Sequence, residues 1–160
     1  MKTVELSLMK RVRKACLMLA VILGCMPMFT SCDTEETTHA YYSVDFVTAV
    51  VPNQYVTSDV AKEILDAILE YQRSAGIIDR QFEVTYGKVD MTEDDYVQMH
   101  TDAMIRAVDM LDSVNYRQML TERGINIPAD LEMEIQYNLN YETMNGDVMT
   151  VFDLPAFKVL

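Results

Sequence analysis

The chain has 160 residues, half of them apolar, a size and composition typical of one folded domain rather than of a disordered segment. Five of its 13 basic side chains but only one of its 25 acidic side chains precede residue 32. Residues 32–160 therefore carry 24 acids against 8 bases, a net charge of −16. So acidic a body repels phosphate backbones, which argues against nucleic-acid binding.

The first 31 residues have the pattern of an export signal. A basic stretch at 10–14 precedes an apolar run at 15–23, and small residues follow before Cys32. These are the three parts of a secretory signal peptide. The alternative is a membrane-spanning helix, but the apolar run is shorter than the roughly 20 residues that a bilayer requires. We therefore expect residues 1–31 to form a signal peptide.

The signal ends in Phe29-Thr30-Ser31-Cys32, and acidic residues follow in a predicted tether at 32–40. This pattern resembles the lipobox of bacterial lipoproteins, including those of Bacteroides-like bacteria, with an apolar residue at −3 and two small residues before the cysteine. The resemblance implies that the Cys32 thiol carries a diacylglycerol and that the signal is cut before Cys32. It also implies that the new amino group receives a fatty acid such as palmitate, so that the protein is anchored in a membrane.

Two alternatives within this region stay open. The run Ile22-Leu23-Gly24-Cys25 also fits a lipobox loosely, so Cys25 competes with Cys32 as the lipid site. In Bacteroides-like lipoproteins, acids just after the cysteine accompany export to the outer face of the outer membrane. In other Gram-negative bacteria, an Asp directly after the cysteine tends to retain the protein at the inner membrane. The resemblance implies a location in the cell envelope, with the outer membrane favoured.

Residues 41–160 show strand and helix patterns without a linker, which predicts a single domain. Alternating polarity predicts strands at 41–51, 81–89, 131–141 and after a hairpin turn. Helical spacing and capping signals predict helices at about 59–75, 92–112 and 114–123. We expect an α/β (α+β) fold, a two-layer sandwich in which a mixed four-stranded sheet carries two to three helices on one face.

The hairpin turn predicts the register of the last two strands. Asn145-Gly146 is typical of a two-residue turn, which would pair Leu139 with Phe152 and Tyr141 with Thr150 on the apolar face. The opposite face would then pair Asn140 with Val151 and Glu142 with Met149. The polarity of strand 131–141 agrees with this register.

The open face of this sheet is the candidate functional surface. It is predicted to present carboxylates and an apolar streak that could meet a basic protein partner; the candidate residues are Glu132, Glu134, Glu142, Met149 and Val151, with Glu83, Val47 and Ala49 nearby. The alternative is a solvated or partly covered face. We expect a lipid-anchored accessory or binding protein that acts through surface contacts. The alternative function is an inhibitor or immunity-type lipoprotein that caps a basic partner, and a small hydrolase ranks third.

Other chemistry-bearing residues favour structural roles. His100 is the only imidazole expected in the folded body, and it lacks nearby cysteine or histidine partners, so we expect a packed, hydrogen-bonded side chain. His39 is expected in the tether. Asp95, Asp102 and Asp109 recur every seven residues, and pairing of the last two with Arg106 explains them better than a metal does. We therefore predict neither catalytic residues nor a metal or other cofactor.

Overall fold

The computed structural model of the protein describes residues 38–86, 90–143 and 145–160. The predicted signal peptide, both candidate lipid sites and most of the predicted tether lie outside the described residues. The last three residues of the tether are an exception, because Thr38–Ala40 begin the first strand. His39 is therefore not in the tether but in that strand, where it pairs with Thr85.

Five strands and three helices form the described structure. The strands are β1 (Thr38–Val50), β2 (Gln81–Tyr86), β3 (Glu134–Glu142), β4 (Val148–Asp153) and the short β5 (Phe157–Lys158). The helices are α1 (Asp59–Ser74), α2 (Glu93–Asp112) and α3 (Tyr116–Glu122), and a short 3-10 turn spans Asn53–Tyr55.

Local signals explain where the longest helix begins. The Thr92 hydroxyl accepts a hydrogen bond from the backbone N–H of Asp95 (3.3 Å), and the Asp95 carboxylate accepts one from the backbone N–H of Thr92 (3.0 Å). This capping box satisfies two of the N–H groups that a helix start leaves without partners. The predicted start of α2 is confirmed.

The sheet has the strand order β2-β1-β3-β4, and β5 pairs with the other end of β3. Every described pair of strands is antiparallel, so the mixed sheet that we expected from the strand and helix order is wrong in this respect. The connections between the strands place the helices over a continuously antiparallel sheet.

The helices pack on one face of the sheet. Tyr42 of β1 contacts His100 of α2, Tyr137 of β3 contacts Gln72 of α1, and Gln72 also contacts Tyr116 of α3. Between these layers lies the core, whose largest fully buried side chains are Tyr42, Tyr137, Ile64, Ile68, Ile78, Met99, Leu120, Leu131, Met133, Ile135, Leu139 and Leu154. The predicted two-layer α/β architecture is confirmed.

A bulge in β1 changes which side chains reach the core. Phe46 pairs with Tyr137 and Thr48 with Gln136, so Val47 is an extra residue without a partner in β3. Beyond the bulge Ala49 pairs with Ile135 and is half-buried, while Val50 is 61% exposed. The alternation that we predicted through the whole strand is therefore wrong after Phe46.

The β3–β4 hairpin differs from its prediction in the same way. The backbone N–H of Gly146 donates to the Thr143 carbonyl (2.9 Å), and that of Thr143 donates to the Asp147 carbonyl (2.8 Å). The loop therefore contains three residues rather than two, with a left-handed glycine (φ +82°) at its end. Leu139 pairs with Phe152 as predicted, but Tyr141 pairs with Met149.

The three-residue loop shifts the pairing of β3 with β4 by one residue, and a second bulge restores the Leu139–Phe152 pair. Asn140 pairs with Thr150, which leaves Val151 as the extra residue of β4. Val151 and Phe152 are both buried in the core, 5% and 6% exposed. The predicted pairs of Tyr141 with Thr150, of Asn140 with Val151 and of Glu142 with Met149 are therefore wrong, because burying two consecutive apolar residues requires the bulge.

Candidate functional site

The sheet face opposite the helices, here called the open face, consists mainly of polar side chains. Alternation along each strand places these side chains away from the buried ones. The open face comprises Gln81, Glu83, Thr85, His39, Tyr41, Ser43, Asp45, Thr48, Val50, Glu134, Gln136, Asn138, Asn140, Glu142, Val148, Thr150 and Asp153. Within residues 38–86, 90–143 and 145–160, no helix covers it, so amides and carboxylates are available to a partner.

Hydrogen bonds join three strands across the centre of the open face. The Asn140 amide of β3 donates to Oδ2 of Asp45 in β1 (2.7 Å), and the Thr150 hydroxyl of β4 donates to Oδ1 of Asn140 (2.8 Å). Asn140 is only 7% exposed although it lies on the open face, because its neighbours shield it. This network holds the polar groups in fixed positions before any partner arrives.

An aromatic side chain lies between two carboxylates at one end of the open face. Tyr41 pairs with Glu83 of β2 on one side and with Glu142 of β3 on the other, and it is 43% exposed. Adjacent strands are about 4.8 Å apart, so both carboxylates border the same ring. We call Glu83, Tyr41 and Glu142 the acidic row.

The carboxylates of the acidic row are held by neighbouring side chains. Glu83 accepts a hydrogen bond from His39, which lowers the pKa of Glu83, and the Gln81 amide donates to Glu142. A hydrogen bond to the charged form favours ionisation. A ring beside ionised carboxylates attracts ammonium and guanidinium groups through both charge and the π face.

The five predicted surface residues do not all lie on the open face. Glu134 and Glu142 do. Glu132 precedes β3 and forms an ion pair with Lys158 (2.8 Å), which lowers the pKa of Glu132. Because the hairpin loop has three residues, Met149 pairs with Tyr141 and lies on the helix side at 45% exposure, and Val151, the extra residue of the β4 bulge, is buried. The expected apolar streak of the open face is therefore wrong at Met149 and Val151.

The nearby candidates Val47 and Ala49 follow the first bulge. Val47 is 45% exposed at the bulge itself, whereas Ala49 pairs with Ile135 on the helix side. Glu83, which we named only as a neighbour, lies within the acidic row. The sequence analysis did not name Tyr41 and Asp45 as candidate site residues. The strand alternation that places Glu83 and Glu142 on the open face also places these two there.

His100 is a packed core residue, as expected. It is 2% exposed, and Nδ1 lies 2.7 Å from the Tyr42 hydroxyl. The imidazole also contacts the Tyr141 ring edge-on, with 5.4 Å between centroids. Burial lowers the pKa of His100 to about 4, so the ring is neutral at physiological pH.

The aspartates of α2 are explained differently from their prediction. Asp95 belongs to the capping box, and Asp102 accepts a hydrogen bond from Gln98 (2.7 Å). Arg106 does not pair with Asp102 or Asp109 but donates to the backbone carbonyl of Glu83 (2.7 Å). Across the described parts of the chain, no three histidine, cysteine or acidic side chains converge as metal ligands would.

Two features outside the open face were not predicted. The buried Gln72 amide donates to the hydroxyls of Tyr116 and Tyr137, both at 2.7 Å, and so ties two helices to the sheet. A shallow groove of about 580 Å³ along α1 carries a stripe of acids from Asp59 to Glu70 and is bordered by Lys62 and Arg123. The acids of the groove add to the negative charge of the molecule, but Lys62 and Arg123 partly neutralise them.

None of the helices in the described ranges combines the length and apolar character that crossing a bilayer requires. Comparison with protein-family models, curated proteins and solved structures gave no match to this chain. The candidate site therefore rests on the geometry of the open face.

Proposed function

We propose that this chain is a lipid-anchored, acidic binding protein of a bacterial cell envelope that holds a basic protein partner on its open face. The observation that carries the proposal is the acidic row, in which Tyr41 lies exposed between Glu83 and Glu142 on a sheet face that the described helices leave uncovered. The lipobox resemblance at Cys32 supports the anchor and the location, with the outer membrane favoured.

Charge supports the choice of partner. Residues 32–160 carry a net charge of −16, and the open face adds Asp45 and Glu134 to the two carboxylates of the acidic row. Such a field speeds the arrival of a basic protein and repels acidic ones. The hydrogen-bonded centre around Asn140 supports a specific complex, because its polar groups need no rearrangement on binding.

A capping or immunity-type role is a narrower form of the same proposal. If the basic surface of the partner contains its active region, a bound sheet face would cover it. Inhibition in proportion to added protein, relieved by salt, would distinguish capping from simple attachment.

The test compares two pairs of substitutions that change the net charge equally. Glu83→Gln with Glu142→Gln removes both carboxylates of the acidic row, whereas Glu63→Gln with Glu70→Gln removes two from the groove on α1. Full-length protein of each kind is used to capture partners from envelope extract at low and high salt. Circular dichroism melts verify that each variant is folded.

We expect the acidic-row pair to lose the salt-sensitive partner by about tenfold, which corresponds to about 1.4 kcal/mol of binding free energy. The groove pair should retain it. Equal losses from both pairs would show attraction by net charge alone, and retention by both would show that the open face is not the binding surface.

A further inference from the structure

The two outer edges of the sheet differ in how they are protected. At the β2 edge, Arg106 of α2 donates to the backbone carbonyl of Glu83 (2.7 Å) and lies over the Phe82 ring, 5.1 Å from its centroid. A charged side chain on an edge carbonyl is one of the devices that prevent another strand from pairing there. The β2 edge is therefore closed by the protein's own helix.

From the described residues, the β4 edge gains such protection only in its second half, where the bulge at Val151 interrupts the regular pairing and Asp153 adds a charge. Outside the regular strand pairs, no described side chain bonds to the backbone of Val148–Asp153. Its only charged residue is Asp153, at the end of the strand. An edge of this kind presents backbone N–H and C=O groups that can pair with another chain.

The first two residues of β4 expose one apolar side chain on each face of the sheet, whereas Thr150 and Asp153 make the rest of its open face polar. Val148 lies on the open face and is 64% exposed, while Met149 lies on the helix side and is 45% exposed. By contrast β2 alternates between exposed polar side chains and more buried apolar ones. Two large apolar side chains that lie exposed side by side at an unpaired edge could both be covered by an added strand.

We propose that the β4 edge binds an extended segment of the basic partner as an additional antiparallel or parallel strand. The inference rests on the proposed function, since it names the part of the partner that is recognised. The segment would alternate in chemistry, with lysine or arginine on the open face and apolar residues on the helix side.

The contacts available at Val148 and Met149 support this alternation. Val148 pairs with Glu142 of β3, so a lysine on the added strand could cover Val148 with its aliphatic stem and reach Glu142 with its ammonium group. On the helix side, an apolar residue of the added strand would cover Met149. The main-chain pairs would supply affinity, and these two positions would supply selectivity.

Charge favours this occupant over a second copy of the chain. Pairing of two β4 edges would bring together two bodies that each carry a net charge of −16. Their mutual repulsion opposes association. A basic segment instead gains from the same field.

The test uses a labelled synthetic peptide in which lysine and valine alternate, and fluorescence polarisation with the full-length protein in detergent. Two further peptides carry N-methyl groups on every second residue, one peptide on the lysines and the other on the valines. Because successive N–H groups of a strand point to opposite edges, each of these peptides loses the N–H groups along one of its two edges. A block peptide has the same composition with all lysines before the valines. Strand addition predicts that only one of the two methylated peptides loses binding, by about tenfold, and that the block peptide binds weakly.

Two protein variants with identical charge changes complete the test. Met149→Lys introduces a cation where an apolar residue of the peptide would lie, and Val56→Lys introduces one at an exposed apolar position away from β4. We expect Met149→Lys to weaken peptide binding by about tenfold and Val56→Lys to leave it within about twofold, since both change the long-range field equally.

Three outcomes would overturn the strand-addition proposal. One is equal binding of all four peptides, which indicates attraction by charge alone. Another is that no peptide binds while partner capture still depends on Glu83 and Glu142. In that case the proposed function is retained, but the β4 edge is not the binding site. The third is a dimer in light scattering that Met149→Lys dissociates, which would make a second copy the occupant.

Discussion

The hydroxyl of Tyr42 lies 2.7 Å from Nδ1 of His100, so the two buried groups share one hydrogen bond. Burial raises the pKa of Tyr42, so its hydroxyl keeps its proton and can donate it to Nδ1. In the tautomer in which Nδ1 accepts from Tyr42, the imidazole proton lies on Nε2, which is buried and has no partner among the described atoms. Such an unmatched group lowers stability by about 1–3 kcal/mol.

The buried histidine should make stability depend on pH. Burial lowers the pKa of His100 to about 4, whereas an exposed histidine has a pKa near 6.5. Between these values the unfolded chain binds a proton at His100 that the folded chain does not. The free energy of unfolding should therefore fall as pH decreases from about 6.5 to about 4, by up to about 3 kcal/mol.

Urea unfolding of His100→Gln across this pH range tests the effect. The glutamine can still accept from Tyr42 but does not titrate, so the His100 contribution to the slope should disappear. Met99→Leu, an adjacent buried substitution, controls for general destabilisation and should keep the slope of the unmodified protein. A slope that survives in His100→Gln would assign the effect to other groups.

The hydrogen bonds of the Gln72 amide should stabilise the packing of the helices on the sheet. Gln72→Leu leaves the Tyr137 and Tyr116 hydroxyls without their donor, although Tyr116 keeps a bond to the Leu111 carbonyl (3.2 Å). We expect a loss of about 2–4 kcal/mol in the free energy of unfolding. Adding Tyr137→Phe should recover part of this loss, because the orphaned hydroxyl is then absent. Additive losses in this double-mutant cycle would argue against coupling.

The three-residue hairpin loop gives different expectations for its two turn residues. Gly146 has a φ of +82°, and a Cβ added there meets no atom within 4 Å, so Gly146→Val should cost about 1–2 kcal/mol through backbone strain alone. A three-residue loop of this kind needs a left-handed residue only at its glycine, so Asn145→Ala should cost less than about 0.5 kcal/mol. Thermal melts that show similar losses for both would instead favour the two-residue turn.

Cys32 should carry the lipid. Cys32→Ala should abolish labelling of the protein by an alkyne analogue of palmitate and remove it from the membrane fraction, because the thiol that receives the diacylglycerol is gone. Cys25→Ala is the matched control and should retain both labelling and membrane association. The reverse result would move the lipid site to Cys25.

Local signals in the sequence predicted the elements, and contacts between distant residues decided the details. The capping box of Thr92 and Asp95 was predictable because its bonds join residues three positions apart. The bulge at Val47 was not, since an extra residue is defined only by its missing partner in β3. The sign of this bulge in the sequence, two apolar residues in succession, is equally consistent with a strand that is buried on both faces.

For the candidate site, too, local patterns predicted some features, and contacts between distant residues decided the others. Alternation placed Glu134 and Glu142 on the open face, but the position of Met149 depended on the loop length and on the bulge at Val151. An Asn-Gly pair fits both a two-residue and a three-residue loop, since a left-handed glycine serves in each. Neither the acidic row around Tyr41 nor the bond between Tyr42 and His100, 58 positions apart, can be predicted without the strand order.

The placement of β1 between two antiparallel neighbours has a mechanical consequence. Within β1, Thr38–Ser43 pair with β2 and Tyr41–Val50 pair with β3. A pull applied at Thr38 along the axis of β1 loads the hydrogen bonds to both neighbours in shear, many at once, rather than breaking them one by one. A protein tethered from this side and bound through its open face would withstand tension between membrane and partner without losing an edge strand first.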